Sequence, residues 1–325
     1  MTSLADGFGR TLDYLRLSVD DSCDFHCLYC LPGREARSRR EPPLSIAEIR
    51  RLVTAFAGLG AWKVRLSGGE PTLRRDLLDI AAAIREIPGI GQVCLSTNGH
   101  RLAELAEGLR RAGVTSVNVS LDSLDAGRFA AITGARRLDA VLLGAARGSA
   151  IGLDIKINTL LLKDLNDAEI RRFLDLPMKN PWSVRFIELM PTARNEAFFR
   201  RCHVPIAGLL RMLAGAGWKE TPRQPGQGPA RVFSRPGCRG TVGVISPGTD
   251  GFCQYCNRLR VTSRGLLKLC LFSEQDHSLR PFLQDDGQLA ALARRIRELA
   301  EKKPHSHRLA EGHVGGARHF AAMGG

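Results

Sequence analysis

Residues 14–30 read Tyr-Leu-Arg-Leu-Ser-Val-Asp-Asp-Ser-Cys-Asp-Phe-His-Cys-Leu-Tyr-Cys. The first six alternate, with Leu15, Leu17 and Val19 on one face and Arg16 and Ser18 on the other, which is the period of a strand. That strand leads into Cys23, Cys27 and Cys30. Three thiolates this close on one loop can hold one metal centre and leave its fourth position open. Spacing alone leaves two readings level. One is a cubane iron–sulfur cluster whose free iron binds a substrate. The other is a zinc knuckle whose fourth ligand is His26.

Strand-like runs recur at Tyr14–Val19, Trp62–Ser67, Val93–Thr97, Val114–Leu121, Leu153–Leu160 and Val184–Leu189. Helix signals separate them. Ser45 and Glu48 form a capping box, closed by Gly60. A helix over Arg101–Ala112 stops at Gly113, and one over Leu138–Ala150 stops near Gly152. Strand–helix alternation implies parallel strands with right-handed crossovers. The six units end by Leu189, short of the about 250 residues of a closed eight-fold barrel. Residues 1–205 are therefore read as an α/β domain, an incomplete (βα)6 TIM-like barrel. An open doubly wound sheet has the same periodicity.

Composition changes after Arg201. Residues 221–250 are rich in Pro, Gly and Arg, with short strands at Arg231–Ser234 and Thr241–Ile245. A second triplet follows, Cys253-x2-Cys256-x13-Cys270, then a strand over Leu266–Phe272, a helix near Gln288–Glu301 and a polar tail. Residues 206–325 are read as an α+β extension carrying a second centre. For that triplet, His277 is available to complete a zinc site. An open-iron cluster is the sharper reading, because Arg258 and Arg260, at i and i+2 on a strand, share a face beside the metal.

The 325 residues include 47 Lys and Arg against 33 Asp and Glu, a net charge of +14. Such a surplus points to nucleic acid, a phosphate-rich substrate or a membrane surface. The chain shows no helix-turn-helix or RNA-binding motif and only 6% aromatic residues, so nucleic acid is not expected. No run approaches the ~18 apolar residues of a membrane helix. The N-terminus lacks the apolar core of a signal peptide. Nine cysteines, six of them in two triplets, suit a reducing cytoplasm better than a disulfide scaffold; Cys94, Cys202 and Cys238 are read as structural.

Arg16, Lys63, Arg65, Lys156 and Arg185 interrupt apolar strands. Period-2 alternation turns them all to the barrel lumen while the flanking Leu, Val and Ile face the helices. Unpaired buried cations are costly, so a polyanionic ligand is expected, and converging cations suit a polyphosphate. Salt bridges from loop carboxylates are the competing account. No Walker-type loop is present.

The second strand ends in Ser67-Gly68-Gly69-Glu70-Pro71. CxxxCxxC followed by GGEP at the next strand end resembles the radical S-adenosylmethionine (SAM) superfamily. The resemblance implies a [4Fe–4S] cluster on Cys23, Cys27 and Cys30, with SAM cleaved there to a 5′-deoxyadenosyl radical beside Tyr29. With the second triplet, the strand cations, Arg258-Leu259-Arg260 and the terminal Gly324-Gly325 added, the chain resembles the GTP 3′,8-cyclase family of molybdenum cofactor biosynthesis, from Phe8-Gly9-Arg10 to Gly325.

That family implies a second [4Fe–4S] cluster on Cys253, Cys256 and Cys270. It implies SAM contacts at Tyr29, Gly69, Ser120 and Met190. GTP contacts are implied at Arg16, Lys63, Arg65, Ser96, Lys156, Arg185, Arg258, Leu259 and Arg260, and a catalytic tail at Gly324 and Gly325. The implied reaction converts GTP to (8S)-3′,8-cyclo-7,8-dihydroguanosine 5′-triphosphate. Implied partners are a flavodoxin- or ferredoxin-type electron donor and a downstream pyranopterin-forming enzyme; a homodimer is left open. The chain departs from the family pattern at Ser96-Thr97-Asn98-Gly99, which has Ser for Thr, at Phe320 and Met323 in the tail, and in an arginine-rich loop (Arg34, Arg37, Arg39, Arg40). Alternatives are a radical SAM peptide-modifying enzyme with an auxiliary cluster and, in another class, a zinc-bearing nucleic-acid-binding protein.

Overall fold

Leu15, Leu17 and Val19 are fully buried, and the next five strands repeat that outward apolar face with Val64 and Leu66, Val93 and Leu95, Val117 and Val119, Ile155 and Ile157, and Val184 and Phe186. In this computed structural model, which describes residues 3–30, 41–223, 228–248 and 251–315, the strands are β1 (Tyr14–Asp20), β2 (Lys63–Gly68), β3 (Gln92–Thr97), β4 (Val114–Ser120), β5 (Asp154–Leu161) and β6 (Ser183–Glu188). They match the six predicted runs to within a residue or two. The C-terminal region adds β7 (Lys219–Glu220), β8 (Arg231–Ser234), β9 (Thr241–Ile245), β10 (Arg258–Val261), β11 (Leu266–Lys268) and β12 (His277–Ser278).

The helices are α1 (Ile46–Gly58), α2 (Leu77–Arg85), α3 (Leu102–Arg111), α4 (Ala126–Thr133), α5 (Leu138–Ala150), α6 (Ile170–Lys179), α7 (Glu196–Cys202), α8 (Ala207–Gly215) and α9 (Leu289–Ala300). The capping box at α1 is formed, with Ser45 accepting from the Glu48 N–H at 3.2 Å and the Glu48 carboxylate accepting from the Ser45 N–H at 2.8 Å. Gly60, Gly113 and Gly152 all have positive φ just past helix ends, as predicted. Phe56, Ile80, Leu109, Val141, Phe173 and Ile296 bring six of the helices onto the apolar side of the sheet.

All twelve strands form one sheet in the order β12-β11-β10-β1-β2-β3-β4-β5-β6-β9-β8-β7. The stretch from β10 to β9 is parallel throughout. The C-terminal region thus adds a parallel strand to each side of the six, β9 beside β6 and β10 beside β1. In a flat sheet the outer two of these eight strands would lie roughly 34 Å apart. Yet Ile245 of β9 and Arg258 and Arg260 of β10 line one cavity with residues of β1 to β6. The sheet is therefore rolled about its polar face, as a partial barrel, rather than open and doubly wound.

The predicted strand Leu266–Phe272 is shorter than expected. β11 pairs antiparallel with β10 (Val261 with Leu267, Arg260 with Lys268) and stops at Lys268. The chain bends at Leu269–Cys270, which turns Cys270 into the cavity.

Ser45→Ala should lower the unfolding free energy by about 1 kcal/mol through loss of the α1 cap. Urea denaturation should show a lower midpoint with an unchanged slope.

Candidate active site

Inward-facing side chains enclose a cavity of about 370 Å³. On its rim, the loop after β1 is held against α4 by the His26 N–H to Thr133 O (2.8 Å) and the Leu28 N–H to Ile132 O (2.9 Å). Cys23, Cys27 and Cys30 take part in no disulfide and face the cavity. His26 is exposed on the α4 side and does not line it. Burial pushes the Cys23 thiol up to about 12; burial, then Asp122, push Cys27 well above its usual value.

Gly68 and Gly69 end β2 directly against the β1 loop. A Cβ on Gly68 (φ 147°) would sit 2.1 Å from Asp20 O, and one on Gly69 2.2 Å from Ser22 O, so only glycine fits. The next residue, Glu70, is a buried clamp that sequence reasoning missed. Its carboxylate accepts from the Thr72 N–H (2.9 Å) and hydroxyl (2.6 Å), the Thr97 hydroxyl (2.7 Å) and the Asn98 N–H (2.6 Å). It thereby joins the ends of β2 and β3. Asp122 was missed as well, though Asn118, Ser120 and Asp122 alternate onto one face. It accepts from the Tyr29 hydroxyl (2.6 Å) and the Leu160 N–H (2.9 Å), and burial raises its carboxyl to about 6.

The predicted cations converge. The register places Arg260, Arg16 and Arg65 side by side across β10, β1 and β2. Burial, then Arg260, hold Arg16 well below its usual value; burial, then Arg258, bring Arg260 to about 10; burial, then Arg65, bring Arg185 to about 10. Burial pushes the Tyr14 phenol up, but Arg65, Arg16 and Lys63 outweigh it and bring it to about 8. Arg65 donates to the Tyr14 hydroxyl (2.6 Å) and Leu95 O (2.7 Å). Among the described residues the salt-bridge account holds for Lys156 alone of the five, and its partner Asp154 lies on its own strand. Gly243, opposite Arg185 in the register, leaves room for that side chain, since a Cβ there would meet Arg185 Cγ at 2.9 Å.

Of the ten buried polar side-chain atoms without a partner among the described residues, seven belong to this cavity: Arg16 Nε, Ser96 Oγ, Asn118 Oδ1, Asn158 Oδ1, Arg185 Nε, Arg258 Nε and Arg260 Nε. Buried polar atoms are ordinarily satisfied, so orphans gathered at one place fit a polar ligand.

Across the cavity stand Cys253, Cys256 and Cys270, all free. Burial alone would raise the Cys256 thiol; Arg258, Lys303 and Arg260 overcome it and bring it to about 6. His277, the candidate fourth zinc ligand, lies on β12 opposite Leu267 and does not line this cavity; it lines an adjoining pocket of about 280 Å³ that shares Cys270 with it. Among the described residues, no three His, Cys, Asp or Glu side chains are gathered to hold a single metal ion. Both histidines that would complete zinc sites stand outside the cavity. His307 also lines the cavity beside the second triplet, but its Nε2 donates to Pro247 O at 3.0 Å; three soft thiolates on each side fit iron–sulfur clusters with an open iron.

Tyr29, Gly69, Ser120 and Met190 line the cavity, as do all the predicted substrate contacts but one. Leu259 does not line it: its side chain is 1% exposed in the apolar core, because alternation along β10 turns it away from Arg258 and Arg260. Gly324, Gly325, Phe320, Met323 and the arginine-rich loop lie outside the described residues.

Two family models match the chain, the Radical SAM superfamily over residues 17–176 and Molybdenum Cofactor Synthesis C over residues 182–309. A GTP 3′,8-cyclase of Stenotrophomonas maltophilia (strain K279a) is 47% identical over 326 residues, covering 100% of both chains. One of Synechococcus elongatus is 43% identical over 327 residues, again 100% of both. The solved structure of Streptococcus suis SuiB bound to S-adenosylmethionine shares the fold, with a TM-score of 0.64 at 16% identity over 88% of this chain and 67% of that one.

Arg185→Met removes a cation whose neighbours are cations. It should raise the melting temperature of the ligand-free chain and shrink the thermal shift produced by inorganic triphosphate. An undiminished shift would remove Arg185 from the anion site.

Proposed function

The chain belongs to the GTP 3′,8-cyclase family of radical SAM enzymes, and from that premise we propose how its own residues divide the reaction. It converts GTP to (8S)-3′,8-cyclo-7,8-dihydroguanosine 5′-triphosphate in molybdenum cofactor biosynthesis, with two [4Fe–4S] clusters and SAM. When bound, the first cluster and SAM supply the radical that takes hydrogen from C3′, and the second cluster supplies an open iron for the guanine.

Residues 1–205 hold the first cluster on Cys23, Cys27 and Cys30, and residues 206–325 hold the second on Cys253, Cys256 and Cys270. Tyr29, Gly69, Ser120 and Met190 seat SAM between the β1 loop and the ends of the strands. Glu70 and Asp122 fix that rim, one by joining β2 to β3, the other by pinning Tyr29. Arg16, Lys63, Arg65, Lys156 and Arg185 clamp the triphosphate, Ser96 offers it a hydroxyl, and Arg258 and Arg260 flank the base. Gripped at both ends, the ribose holds C3′ near C8, and the protein's share of the catalysis is this positioning. Gly324 and Gly325 complete the site from the tail.

The gathered orphan atoms and uncompensated arginines carry this reading. A peptide-modifying enzyme on the same fold gives no reason for arginines abreast on three strands. Against a zinc-bearing nucleic-acid-binding protein, no three His, Cys, Asp or Glu among the described residues are gathered on one metal ion. No described helix is long and apolar enough to cross a membrane, and a cytoplasmic location fits nine free thiols. A flavodoxin- or ferredoxin-type donor supplies electrons, and a pyranopterin-forming enzyme takes the product.

Anaerobically reconstituted protein should carry about eight iron atoms and form 5′-deoxyadenosine from SAM only when GTP is present. Stoichiometric zinc without iron, or a deoxyadenosine yield indifferent to GTP, would overturn the assignment. Arg260→Ala should raise the KM for GTP by roughly ten-fold or more with both clusters intact.

A further inference from the structure

Lys303 follows α9 by three residues and is 3% exposed. Its ammonium donates to the carbonyls of Arg258 (3.2 Å) and Leu269. Arg258 stands two residues after Cys256, and Leu269 immediately precedes Cys270. One cation therefore ties the two segments that bear these thiols. The same stretch secures the third arm. Arg10 joins the carbonyls of Cys253 (2.8 Å), His305 (2.7 Å) and Pro304 (2.6 Å). The His307 ring lies 5.9 Å from that of Phe252 and 5.4 Å from that of Phe272, with Nε2 donating to Pro247 O at 3.0 Å. The strap has a firm base, because Leu292, Ile296 and Leu299 of α9 are wholly buried in the core that α1 shares.

We infer that Lys303 is a positioning residue that sets the spacing of Cys256 and Cys270, so that the second triplet can receive its cluster. This rests on the two-cluster reading above. The three thiols come from segments that no disulfide joins, and cysteine arms have no fixed geometry of their own before metal binds. An ammonium offers several donors to carbonyls, and removing it leaves two carbonyls near the ligands without that partner.

The test is Lys303→Met, reconstituted anaerobically beside the wild type and Arg51→Met. Arg51→Met removes a side-chain tie from α1 to Leu283 O at 3.0 Å, together with an ion pair to Asp286, at a residue that does not line the cavity of the thiols. Lys303→Met should fall from about eight to about four irons per chain. The second centre's electron paramagnetic resonance signal should vanish, while the first centre's signal still changes on adding SAM. Arg51→Met should keep both centres. Full iron with an unaltered second-centre signal in Lys303→Met overturns the inference. So does loss of both centres in Lys303→Met, or the same loss in Arg51→Met, since either marks general destabilisation. Only about four irons in the wild type itself would instead defeat the two-cluster reading, and this inference with it, before any variant is compared.

Discussion

Arg16 has an arginine on either side of it, Arg260 on β10 and Arg65 on β2, at one level of a sheet whose strands lie about 4.8 Å apart. Like charges abreast repel, and this row has little carboxylate to offset it. A fold that keeps such a row must obtain its stability elsewhere. It does so on the opposite face, where the alternate residues of the same strands are wholly buried beneath the helices. The rolled sheet separates the two environments. Its outside is a continuous apolar core, and its inside is a polar chamber whose charge an anionic ligand would balance.

The two ends of that chamber differ in charge. Asp122 and Glu70 stand by the first triplet, and burial there favours neutral thiols. Arg258, Lys303 and Arg260 surround Cys256 and draw it toward thiolate. The cationic end is also where a purine with an attached triphosphate would be gripped. The carboxylate end would suit a ligand with a positive sulfonium centre. Charge alone would therefore sort the two ligands to opposite ends, before any shape is considered.

Much of this was legible in the chain itself. Strand alternation placed Arg16, Lys63, Arg65, Lys156 and Arg185 in the lumen, because burial on one face forces a period of two. The capping box at Ser45 and the glycines after α3 and α5 announced themselves through local chemistry. What escaped depends on long-range contacts. Nothing near Lys303 in sequence reveals that it meets Arg258 and Leu269. The shortening of β11 follows from the bend at Leu269–Cys270, not from its apolar composition. The same alternation that turns Arg258 and Arg260 to the lumen turns the Leu259 side chain to the core. Gly243 is meaningful only once Arg185 is seen across from it.

The pairing of β10 with β1 bears on how the molecule is made. Asn257 donates to Asp13, 244 residues away, at the start of this ladder. During synthesis β1 thus has an open edge until β10, some 244 residues later, has followed. Such an edge can pair with another chain, and an inward-pointing charge is one guard against that. Arg16 sits in the middle of this waiting strand. Until β10 arrives, the side chain assigned to the triphosphate also serves to keep nascent molecules apart.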